Sequence, residues 1–564
     1  MVVEVGGAGT RVPKYYLTTA IDYSNGEPHL GHALEKIGAD CIARWHRLKG
    51  DDVRFVMGMD EHGQKVALAA EKNGLAPQIW VDRISERFEN TWRRLGCSHD
   101  DWIRTTEPRH AASVTEFLNR IRQYHPDDLY EDEYEGLYCV GCEEFKSEAQ
   151  VIDGHCIEHP SLELQRMKER NIFFRLSRYT PEIRRRITTG EFSVEPAIRR
   201  NEVLRLLEDG LQDSSISRAR FPWGVPFPGE TDQTVYVWFD ALINYITAAG
   251  FPGAGWERLW PADLHVIGKG ITRLHCALWP GMLLAAELPL PKMVWAHGYV
   301  QWGGVKVSKS AGGTLSVDEA MERHGPDALR YYLLREIGFE NDGNFTWERF
   351  DVRYTADLAD TLGNLASRAL AMVQRYRGGI VPADPRDFAT PLEEDARRHL
   401  EAYARAMDGI ALEHGAAELV ALAGRANRYV EETAPWKLAK EKRDAELDSV
   451  LANLSRTLAR IAVLARPFIP GKAGELWEML GEKGSLLKAT WPKYDAELAK
   501  EEEIEIPVQI NGKLRSRVTV PADATEEFVL ERALGDEKVK AAIAGKRVVK
   551  KIYVAGKMVN LVVQ

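Results

Sequence analysis

A short segment near the N-terminus, PHLGH, carries side chains that suit phosphate chemistry. His29 and His32 lie three residues apart, so a helix that begins here places both on one face of its first turn. A helix N-terminus offers free N–H groups and a partial positive charge, which favour anions. Gly31 leaves room for a nucleotide against the backbone. The segment predicts an ATP site in which His29 and His32 are catalytic, although either histidine alone could equally be a helix cap or a satisfied core residue.

A second segment, GGVKVSKS, places two lysines and two hydroxyls among glycines far downstream: Lys306, Ser308, Lys309 and Ser310. A cationic loop suits a reaction that develops charge between an α-phosphate and departing pyrophosphate, because positioned cations act on the transition state. By itself such a loop could be a solvated surface turn. Together the two segments predict ATP-dependent chemistry, with Lys306 and Lys309 as catalytic residues and the serines as ATP ligands. Mg²⁺ is expected to arrive with the ATP, since no dedicated magnesium cage is visible.

Four further residues have the spacing of a metal site. Cys139 and Cys142 form one C-x2-C pair, and Cys156 and His159 form a C-x2-H pair thirteen residues on. Two tight pairs of sulfur and nitrogen ligands match a closed tetrahedral zinc site, which we predict to be structural. His155 is a competing ligand that breaks the pair spacing. The remaining alternative is a set of ordinary free thiols.

The elements around these residues alternate in type. A strand at 15–20, a helix at 29–48, a strand at 53–57 and a helix from 64 form a βαβ unit, which indicates an α/β fold with a doubly wound, Rossmann-type parallel sheet. Because ligands bind beyond the carboxyl ends of such strands, the PHLGH segment is well placed. Further strands are predicted in the second half of the sheet, at 235–239, 264–267 and 293–297.

The rest of the chain divides by character. Amphipathic helices follow the sheet, and alternating strands around one helix at 525–543 follow an acidic linker, EEEIE, at 501–505. The predicted domains are the first half of the catalytic sheet (13–115), a connective insertion with the zinc knuckle (116–225), the second half with the lysine loop (226–355), a helical bundle (356–500) and a small α+β module (506–564).

Composition narrows the class of protein. The 564 residues carry a net charge of −10, yet residues 506–564 hold eleven Lys and Arg against six Asp and Glu. This basic module suits contact with a phosphate backbone on an otherwise acidic chain. No apolar run is long enough to cross a membrane and no secretory signal is visible, so a cytoplasmic protein is expected. Six cysteines are too few for a disulfide framework in a chain of this length.

The two nucleotide segments resemble the signatures of the class I aminoacyl-tRNA synthetases, which have this split sheet. The family usually has Lys-Met-Ser-Lys-Ser in the loop, and Val307 replaces its methionine here. Several segments are similar to the methionine enzymes in particular, among them TTAIDYSNGEPHLGH, GMDEHG, YEGLYCVGCEEF and VYVWFDALINY. The resemblance implies methionine–tRNA ligation: methionine reacts with ATP to give methionyl-adenylate and pyrophosphate, and is then transferred to tRNA(Met) for initiation and elongation. The resemblance to the methionine enzymes also agrees with a site for a single zinc ion.

The same resemblance implies the substrate residues. Asp60 is the expected carboxylate for the methionine ammonium group, and an aromatic pocket suits the polarizable sulfur. The other expected methionine-binding residues are Ile21, Tyr23, Trp238, Ala241, Tyr245 and His297. The alternative for VYVWFDALINY is a buried core strand. Two departures stand out: Asp22 replaces an apolar or aromatic residue, and Gly270 replaces an aspartate near the adenylate.

For tRNA, the resemblance implies that Asn364, Arg368, Pro435 and Trp436 recognise the CAU anticodon. The tail is instead similar to the C-terminal module of leucine–tRNA ligases, which makes leucine the rival substrate. Against leucine, the insertion is too short for an editing domain. A second rival is a non-catalytic, tRNA-binding paralogue, and the intact histidines and lysines argue against it.

Overall fold

The structure is a computed structural model that describes residues 12–141, 144–146, 150–157, 159–219, 221–302, 305–306, 316–382, 390–481, 503–521, 524–555 and 557–564. These residues fall into two compact units. The first takes its residues from Met1–Arg368, Leu400–Gly424 and Leu458–Trp491, and the second from Ala369–His399, Arg425–Thr457 and Pro492–Gln564. Among the described residues, no helix has the length and apolar character needed to span a bilayer.

The chain begins with βαβ elements: β1 (Lys14–Thr19), β2 (Asp22–Tyr23), α1 (Leu30–Lys49), β3 (Asp52–Asp60), α2 (Gln64–Lys72), α3 (Pro77–Arg94), β4 (Asp101–Arg104) and α4 (Pro108–Tyr124). A mostly antiparallel region follows: β5 (Leu129–Cys139), β6 (Glu144–Lys146), β7 (Val151–Ile152), β8 (His155–Cys156), β9 (His159–Glu163), β10 (Gln165–Phe174), α5 (Thr180–Thr189), β11 (Ser193–Glu195), α6 (Ala197–Glu208), β12 (Ser214–Ser215) and β13 (Ser217–Ala219).

The alternation of strand and helix then resumes: β14 (Gln233–Val235), α7 (Val237–Leu242), α8 (Asn244–Thr247), β15 (Leu264–Gly268), α9 (Trp279–Ala285), β16 (Met293–His297), β17 (Val300–Trp302), β18 (Val305–Lys306), α10 (Val317–His324), α11 (Pro326–Tyr332), β19 (Gly343–Phe345) and α12 (Trp347–Arg353). Short 3-10 turns lie at Pro126–Asp128, Leu176–Tyr179, Trp256–Arg258 and Lys269–Ile271, and π-helical stretches at Leu274–Leu278, Leu333–Ile337 and Tyr354–Gly363.

Helices dominate the next region: α13 (Asn364–Arg377), α14 (Pro391–Asp408), α15 (Leu412–Thr433), α16 (Pro435–Glu441), α17 (Asp444–Ala465) and α18 (Pro470–Met479). The C-terminal elements are β20 (Glu503–Ile510), β21 (Lys513–Pro521), α19 (Glu526–Gly535), α20 (Glu537–Ile543), β22 (Val548–Val554) and β23 (Met558–Val563). Residues from 506 to 563 have a hydrophobic core of their own.

The main sheet is parallel, in the order β11-β16-β15-β1-β3-β2 with β4 also paired to β3. The order reverses on either side of β1, which confirms the doubly wound fold class. At such a switch point the carboxyl ends of neighbouring strands open a crevice for ligands. β11 belongs to this sheet although it lies within 116–225, whereas β5, β6, β10 and β12 form a separate antiparallel sheet.

Three local predictions were wrong. Residues 237–239, predicted as strand, begin α7; almost every residue from 235 to 249 is buried, and a short, fully buried apolar run does not distinguish a helix from a strand. The expected linker at 501–505 contains the start of β20. The single helix predicted at 525–543 is two helices, since Asp536 caps α20 through a hydrogen bond from the Val539 N–H.

Candidate active site

The two histidines build the start of α1. His29 is the N-cap, and its Nδ1 accepts a hydrogen bond from the backbone N–H of Gly31 (3.1 Å). The Nδ1 of His32 accepts one from the backbone N–H of His29 (3.2 Å), and the rings stack with centroids 3.7 Å apart. A Cβ at Gly31 would lie 2.9 Å from Cε1 of His29, so glycine admits the imidazole here. The two histidines therefore do form a cap, and they present one stacked face at the helix start.

The segments that flank the lysine loop lie beside this helix start. Upstream, β17 contacts α1 and pairs with β18, so that Gln301 is opposite Lys306. Downstream, the backbone of Ser316 forms an antiparallel bridge with His29. The side chains of Lys306, Ser308, Lys309 and Ser310 lie outside the described residues. The loop nevertheless leaves from and returns to the neighbourhood of α1.

The expected methionine residues gather at the strand ends. Asp60 closes β3, and Tyr23 of β2 is its register partner. The Tyr23 ring lies 6.0 Å from that of Trp238, between centroids. His297 closes β16, two strands from β1 in the same sheet. Asp60, Tyr23 and His297 thus lie at the carboxyl ends of three strands of the same parallel sheet.

Tyr245 is the deepest member of this group. Its hydroxyl bonds Nε2 of His275 (2.6 Å), and its ring lies 4.3 Å from that of His265, between centroids. Burial, followed by the negative charge of Glu35 and other groups including Asp60, holds the pKa of Tyr245 well above its usual value. Tyr245 is therefore a neutral phenol. The two smaller expected residues are consistent with a lining role, since Ala241 is buried and Ile21 packs against the core.

A buried ionic network below the pocket was not predicted. The Lys36 ammonium lies 2.9 Å from Oδ1 of Asp22 and 2.7 Å from Oε1 of Glu35, and donates to the Ala20 carbonyl (2.7 Å). The other Glu35 oxygen, Oε2, is 3.2 Å from Nε2 of His297. The expected pocket residue His297 is thus connected to α1 through Glu35 and Lys36.

The network explains how Asp22 is tolerated at a position that the methionine enzymes usually fill with an apolar or aromatic side chain. Burial raises the pKa of Asp22 to about 6, against the opposing effect of the Lys36 charge. Burial alone would also raise the pKa of Glu35, but Lys36 and His297 outweigh it and the pKa is lowered. Trp92 donates its indole N–H to Oδ2 of Asp22 (3.2 Å). A long-range ion pair of this kind has no signature in sequence spacing.

A second buried carboxylate ties the GMDEHG segment to α7. Asp240 accepts from Nδ1 of His62 (2.6 Å) and lies 2.8 Å from Nε2 of His110. Burial would raise the Asp240 pKa, but the two imidazoles outweigh it and lower that pKa to about 2. Because α7 carries Trp238 and Ala241, this contact fixes both relative to Asp60. His62 belongs to the segment DEHG and Asp240 to the segment FDA. The two segments are far apart in the sequence, and nothing in their spacing predicts a hydrogen bond between these side chains.

Gly270 makes room for a neighbouring phenol. A Cβ at this position would lie 2.1 Å from the Tyr299 hydroxyl oxygen, so the site of the missing side chain is taken by Tyr299. Lys269 lies over the Tyr299 ring, 4.7 Å from its centroid, and forms an ion pair with Asp342 (2.7 Å). The space that an aspartate side chain would occupy at position 270 is therefore taken by another polar group, the Tyr299 hydroxyl.

Known proteins match this chain in both sequence and fold. The family model "tRNA synthetases class I (M)" matches residues 15–166 and 160–370, and "Anticodon-binding domain of tRNA ligase" matches 396–530. The methionine–tRNA ligase of Streptomyces coelicolor is 40% identical over 489 residues, which cover 84% of this chain and 90% of that protein. The chain belongs to the methionine–tRNA ligases. The Bacillus subtilis member of the family is 37% identical over 548 residues, covering 91% of this chain and 82% of the relative.

Solved structures of the family share this fold. Mycobacterium tuberculosis methionyl-tRNA synthetase in complex with methionyl-adenylate superposes with a TM-score of 0.79 at 37% identity, covering 84% of this chain and 94% of that one. Its apo form gives a TM-score of 0.75 at 33% identity, covering 87% of this chain and 100% of that one. The class I catalytic architecture predicted from the sequence is confirmed.

The expected zinc ligands are described only in part. Cys139 and Cys156 are buried, and the backbone of Cys156 pairs with that of His159. β5, which ends at Cys139, contacts β9, which begins at His159. Cys142 and the His159 side chain lie outside the described residues. Within the part of the chain that is described, no three His, Cys, Asp or Glu side chains are grouped so as to hold a metal ion.

The expected anticodon residues lie in two different helices. Asn364 and Arg368 lie one turn apart on the same side of α13, with Asn364 exposed and Arg368 half-buried, and the adjacent Leu365 is buried. Trp436 is 42% exposed at the start of α16, where Pro435 is the first residue and Ala434 has a left-handed backbone (φ 46°). The anticodon-binding family model covers Pro435 and Trp436 but not Asn364 and Arg368.

Proposed function

We propose that this chain activates methionine with ATP, releasing pyrophosphate, and then transfers the methionyl group to tRNA(Met) for translation initiation and elongation. The observation that carries the proposal is the backbone bridge between His29 and Ser316. It joins the histidine-bearing helix start to the end of the lysine loop. A site for a nucleotide would thereby lie close to the proposed aromatic pocket for an apolar amino acid.

The roles of the pocket residues follow from their chemistry. The buried Asp60 carboxylate would hold the methionine ammonium group, because opposite charges pair strongly away from water. The side chain and its sulfur would lie among Tyr23, Trp238 and Tyr245, with His297 at the base and Ile21 and Ala241 completing the wall. Few polar groups would face the thioether, which suits methionine better than a charged substrate.

The phosphate roles are assigned to the two signatures. His29, Gly31 and His32 would bind ATP at the start of α1, where the helix dipole favours anions. Lys306 and Lys309, with Ser308 and Ser310, would stabilise the charge that develops as the methionine carboxylate attacks the α-phosphorus and pyrophosphate leaves. Mg²⁺ would accompany the ATP.

Amino-acid-dependent exchange of labelled pyrophosphate into ATP tests this assignment. We expect exchange with methionine and at most about a hundredth of that rate with leucine, the rival suggested by the tail. Trp238→Ala should raise KM for methionine far more than KM for ATP, because its ring belongs to the amino-acid pocket. Faster exchange with leucine, or none with any amino acid while tRNA still binds, would overturn the proposal.

We also propose a structural zinc ion bound by Cys139, Cys142, Cys156 and His159. Two observations support it: Cys139 and Cys156 are buried, and β5, which ends at Cys139, contacts β9, the strand that pairs with the β8 strand of Cys156. Such a metal would add folding energy to an insertion that lacks a large core. Elemental analysis should give one zinc per chain, lost in Cys139→Ser and in Cys156→Ser but kept in Cys97→Ser, whose thiol is buried near Arg330 and Asp40 instead. Equal zinc content in all four proteins would contradict the site.

For tRNA, we propose that Trp436 stacks on an anticodon base, next to Pro435, and that Asn364 and Arg368 bond base edges of CAU. The exposed indole and the shared helix face of Asn364 and Arg368 support these roles. Trp436→Ala should raise KM for tRNA(Met) by roughly tenfold to a hundredfold, the worth of one base–aromatic stack. The same variant should leave pyrophosphate exchange unchanged, and a loss of exchange would contradict the assignment.

A further inference from the structure

Both residues that flank Ile21 are bound to the same buried nitrogen. The Lys36 ammonium donates to the Ala20 carbonyl (2.7 Å) and forms an ion pair with Oδ1 of Asp22 (2.9 Å). Its third contact is Oε1 of Glu35 (2.7 Å). An ammonium group has three N–H donors and no acceptor, so every donor of Lys36 has a partner. The backbone on either side of Ile21 is thus attached to the interior of α1.

The surroundings of Lys36 are unusual for a cation, because its side chain is only 1% exposed. Burial would lower the pKa of Lys36, but the carboxylates of Asp22 and Glu35 outweigh it and raise that pKa, so the ammonium stays charged. A buried ion pair is often no more stabilising than apolar side chains of similar volume. Stability alone is therefore a weak explanation of this network, which also fixes the geometry of the backbone that it binds.

The same ammonium reaches a second expected methionine-binding residue, His297, through Glu35. While Oε1 of Glu35 binds Lys36, its Oε2 lies 3.2 Å from Nε2 of His297. Nδ1 of His297 contacts the Gly298 carbonyl (2.7 Å), so both ring nitrogens are bonded and the orientation of the ring is fixed. Lys36 therefore connects Ile21, which lies between β1 and β2, with a residue at the end of β16.

The Tyr23 end of the same segment has supports of its own. The backbone N–H and the hydroxyl of Ser24 both donate to the Asp60 carbonyl (3.0 and 2.9 Å). The Trp80 indole N–H donates to the Ser24 carbonyl (2.8 Å). Loss of the Lys36 ammonium should therefore loosen the Ile21 end of the segment and leave the Tyr23 end in place.

We propose that Lys36 is a positioning residue for methionine, which holds the backbone around Ile21, and His297 through Glu35, in the geometry that the amino-acid side chain requires. The inference rests on the proposed function. All three donors of Lys36 are used within the protein, so it acts through the residues that it binds and not by contact with the substrate.

Equilibrium dialysis with labelled methionine, in the absence of ATP, measures this role directly. Lys36→Met should weaken methionine binding by roughly tenfold to a hundredfold, since a displacement of about 1 Å can have effects of this size. KM for ATP at saturating methionine should stay within about twofold of the unsubstituted enzyme, because His29 and His32 are held by their own backbone bonds at the helix start. An unchanged affinity for methionine in Lys36→Met would overturn the inference.

A double variant separates positioning from stability, and it gives an answer even if Lys36→Met fails to fold. Adding Asp22→Leu removes one of the two buried carboxylates that Lys36 neutralises, so part of the lost stability should return. The Ala20 carbonyl still has no ammonium to bind, so the affinity for methionine should remain as weak as expected for Lys36→Met. An affinity that recovers together with the urea midpoint would show a merely structural role and refute the positioning role.

Arg44 offers the matched control, because it is another buried cation of α1. Its Nε donates to Oδ2 of Asp40 (2.7 Å), and Asp40 keeps Arg330 (2.7 Å) and Ser98 (2.6 Å) as partners when Arg44 is replaced. Arg44→Met should lower the stability of the fold but leave the affinity for methionine within about twofold of normal, because this pair shares no partner with the pocket network. An equal loss of affinity in Arg44→Met would indicate general loosening of α1 and count against Lys36.

The unsubstituted enzyme distinguishes a failure of this inference from a failure of the proposed function. If it exchanges pyrophosphate with methionine while Lys36→Met binds methionine normally, only the role of Lys36 is lost. If it shows no methionine-dependent exchange, the proposed function itself is wrong.

Discussion

Ser316 and His29 pair through their backbones, although they lie 287 positions apart in the sequence. Ser316 also caps α10, because its Oγ accepts from the backbone N–H of Asp318 (3.2 Å). Asp318 in turn forms ion pairs with Arg87 and Arg94 of α3 (both 2.5 Å). The residue that ends the lysine loop is thus attached to α1 directly and to α3 through its neighbour, on the side where the histidines lie.

This attachment sharpens the expectation for Lys309. Lys309→Ala should slow adenylate formation by about 10²–10³-fold, because a positioned cation acts chiefly on charge that develops in the transition state. Affinity for tRNA should be nearly unchanged. Pyrophosphate exchange and filter binding of tRNA measure the two effects. Similar losses in both assays would count against the role.

The buried ion pair between Asp22 and Lys36 predicts strong non-additivity. Lys36→Met should destabilise the fold by about 3–5 kcal/mol, because it leaves the Asp22 carboxylate buried without its partner. Adding Asp22→Leu should recover part of that loss, since it removes one of the two buried carboxylates that Lys36 neutralises and leaves Glu35 with His297. Urea unfolding of the two single variants and the double variant measures the coupling. Additive losses would show that the two side chains do not act as a pair.

The raised pKa of Asp22 predicts a specific pH dependence of stability. The pKa is about 6 in the folded chain and near 3.8 when exposed, so the fold favours the protonated acid. The stability that it contributes is fully present below about pH 4 and is lost as the pH rises to 6. Relative to Asp22→Asn, the wild type should lose up to about 3 kcal/mol across this window. A difference in unfolding free energy that stays constant from about pH 4 to pH 7 would contradict this.

The close approach of Tyr299 to Gly270 predicts a rescue. Gly270→Ala should lower the rate of adenylate formation, because its Cβ would collide with the Tyr299 hydroxyl, 2.1 Å away. Removing only that hydroxyl, in Gly270→Ala with Tyr299→Phe, leaves the nearest ring carbon at 3.4 Å and should restore most of the rate. Pyrophosphate-exchange assays on both single variants and the double variant measure whether the rate of adenylate formation is restored. A double variant slower than Gly270→Ala would show that the hydroxyl has a separate role.

The basic tail predicts a salt-dependent contribution to tRNA binding. Along β21, Lys513, Arg515 and Arg517 are exposed and alternate with buried Ser516, Val518 and Val520. Lys513→Ala with Arg515→Ala should reduce the slope of log affinity against log salt by roughly 0.9 for each phosphate that is no longer neutralised. Pyrophosphate exchange should not change. Lys540→Ala is the matched control, since Lys540 already pairs with Glu537 (3.2 Å). An unchanged slope would show that this face of β21 does not contact the phosphates of tRNA.

The sheet could be predicted because its strands are short apolar runs and its helices have a clear repeat. The pocket could be predicted only as far as the family-like segments extend. The Asp22–Lys36 ion pair could not be predicted, because it depends on the register in which β2 pairs with β3. The helix at α7 was missed because its residues favour strands and are almost all buried, so their apolar pattern has no helical repeat to read.

The bonds at the start of α1 also decide which nitrogen of each imidazole carries hydrogen. Nδ1 of His29 and Nδ1 of His32 both accept a backbone N–H, so each neutral ring must keep its hydrogen on Nε2. Both side chains are then ready-made donors to a phosphoryl oxygen without acquiring charge. The main chain thus selects the same Nε2–H tautomer for both neutral imidazoles at the helix start.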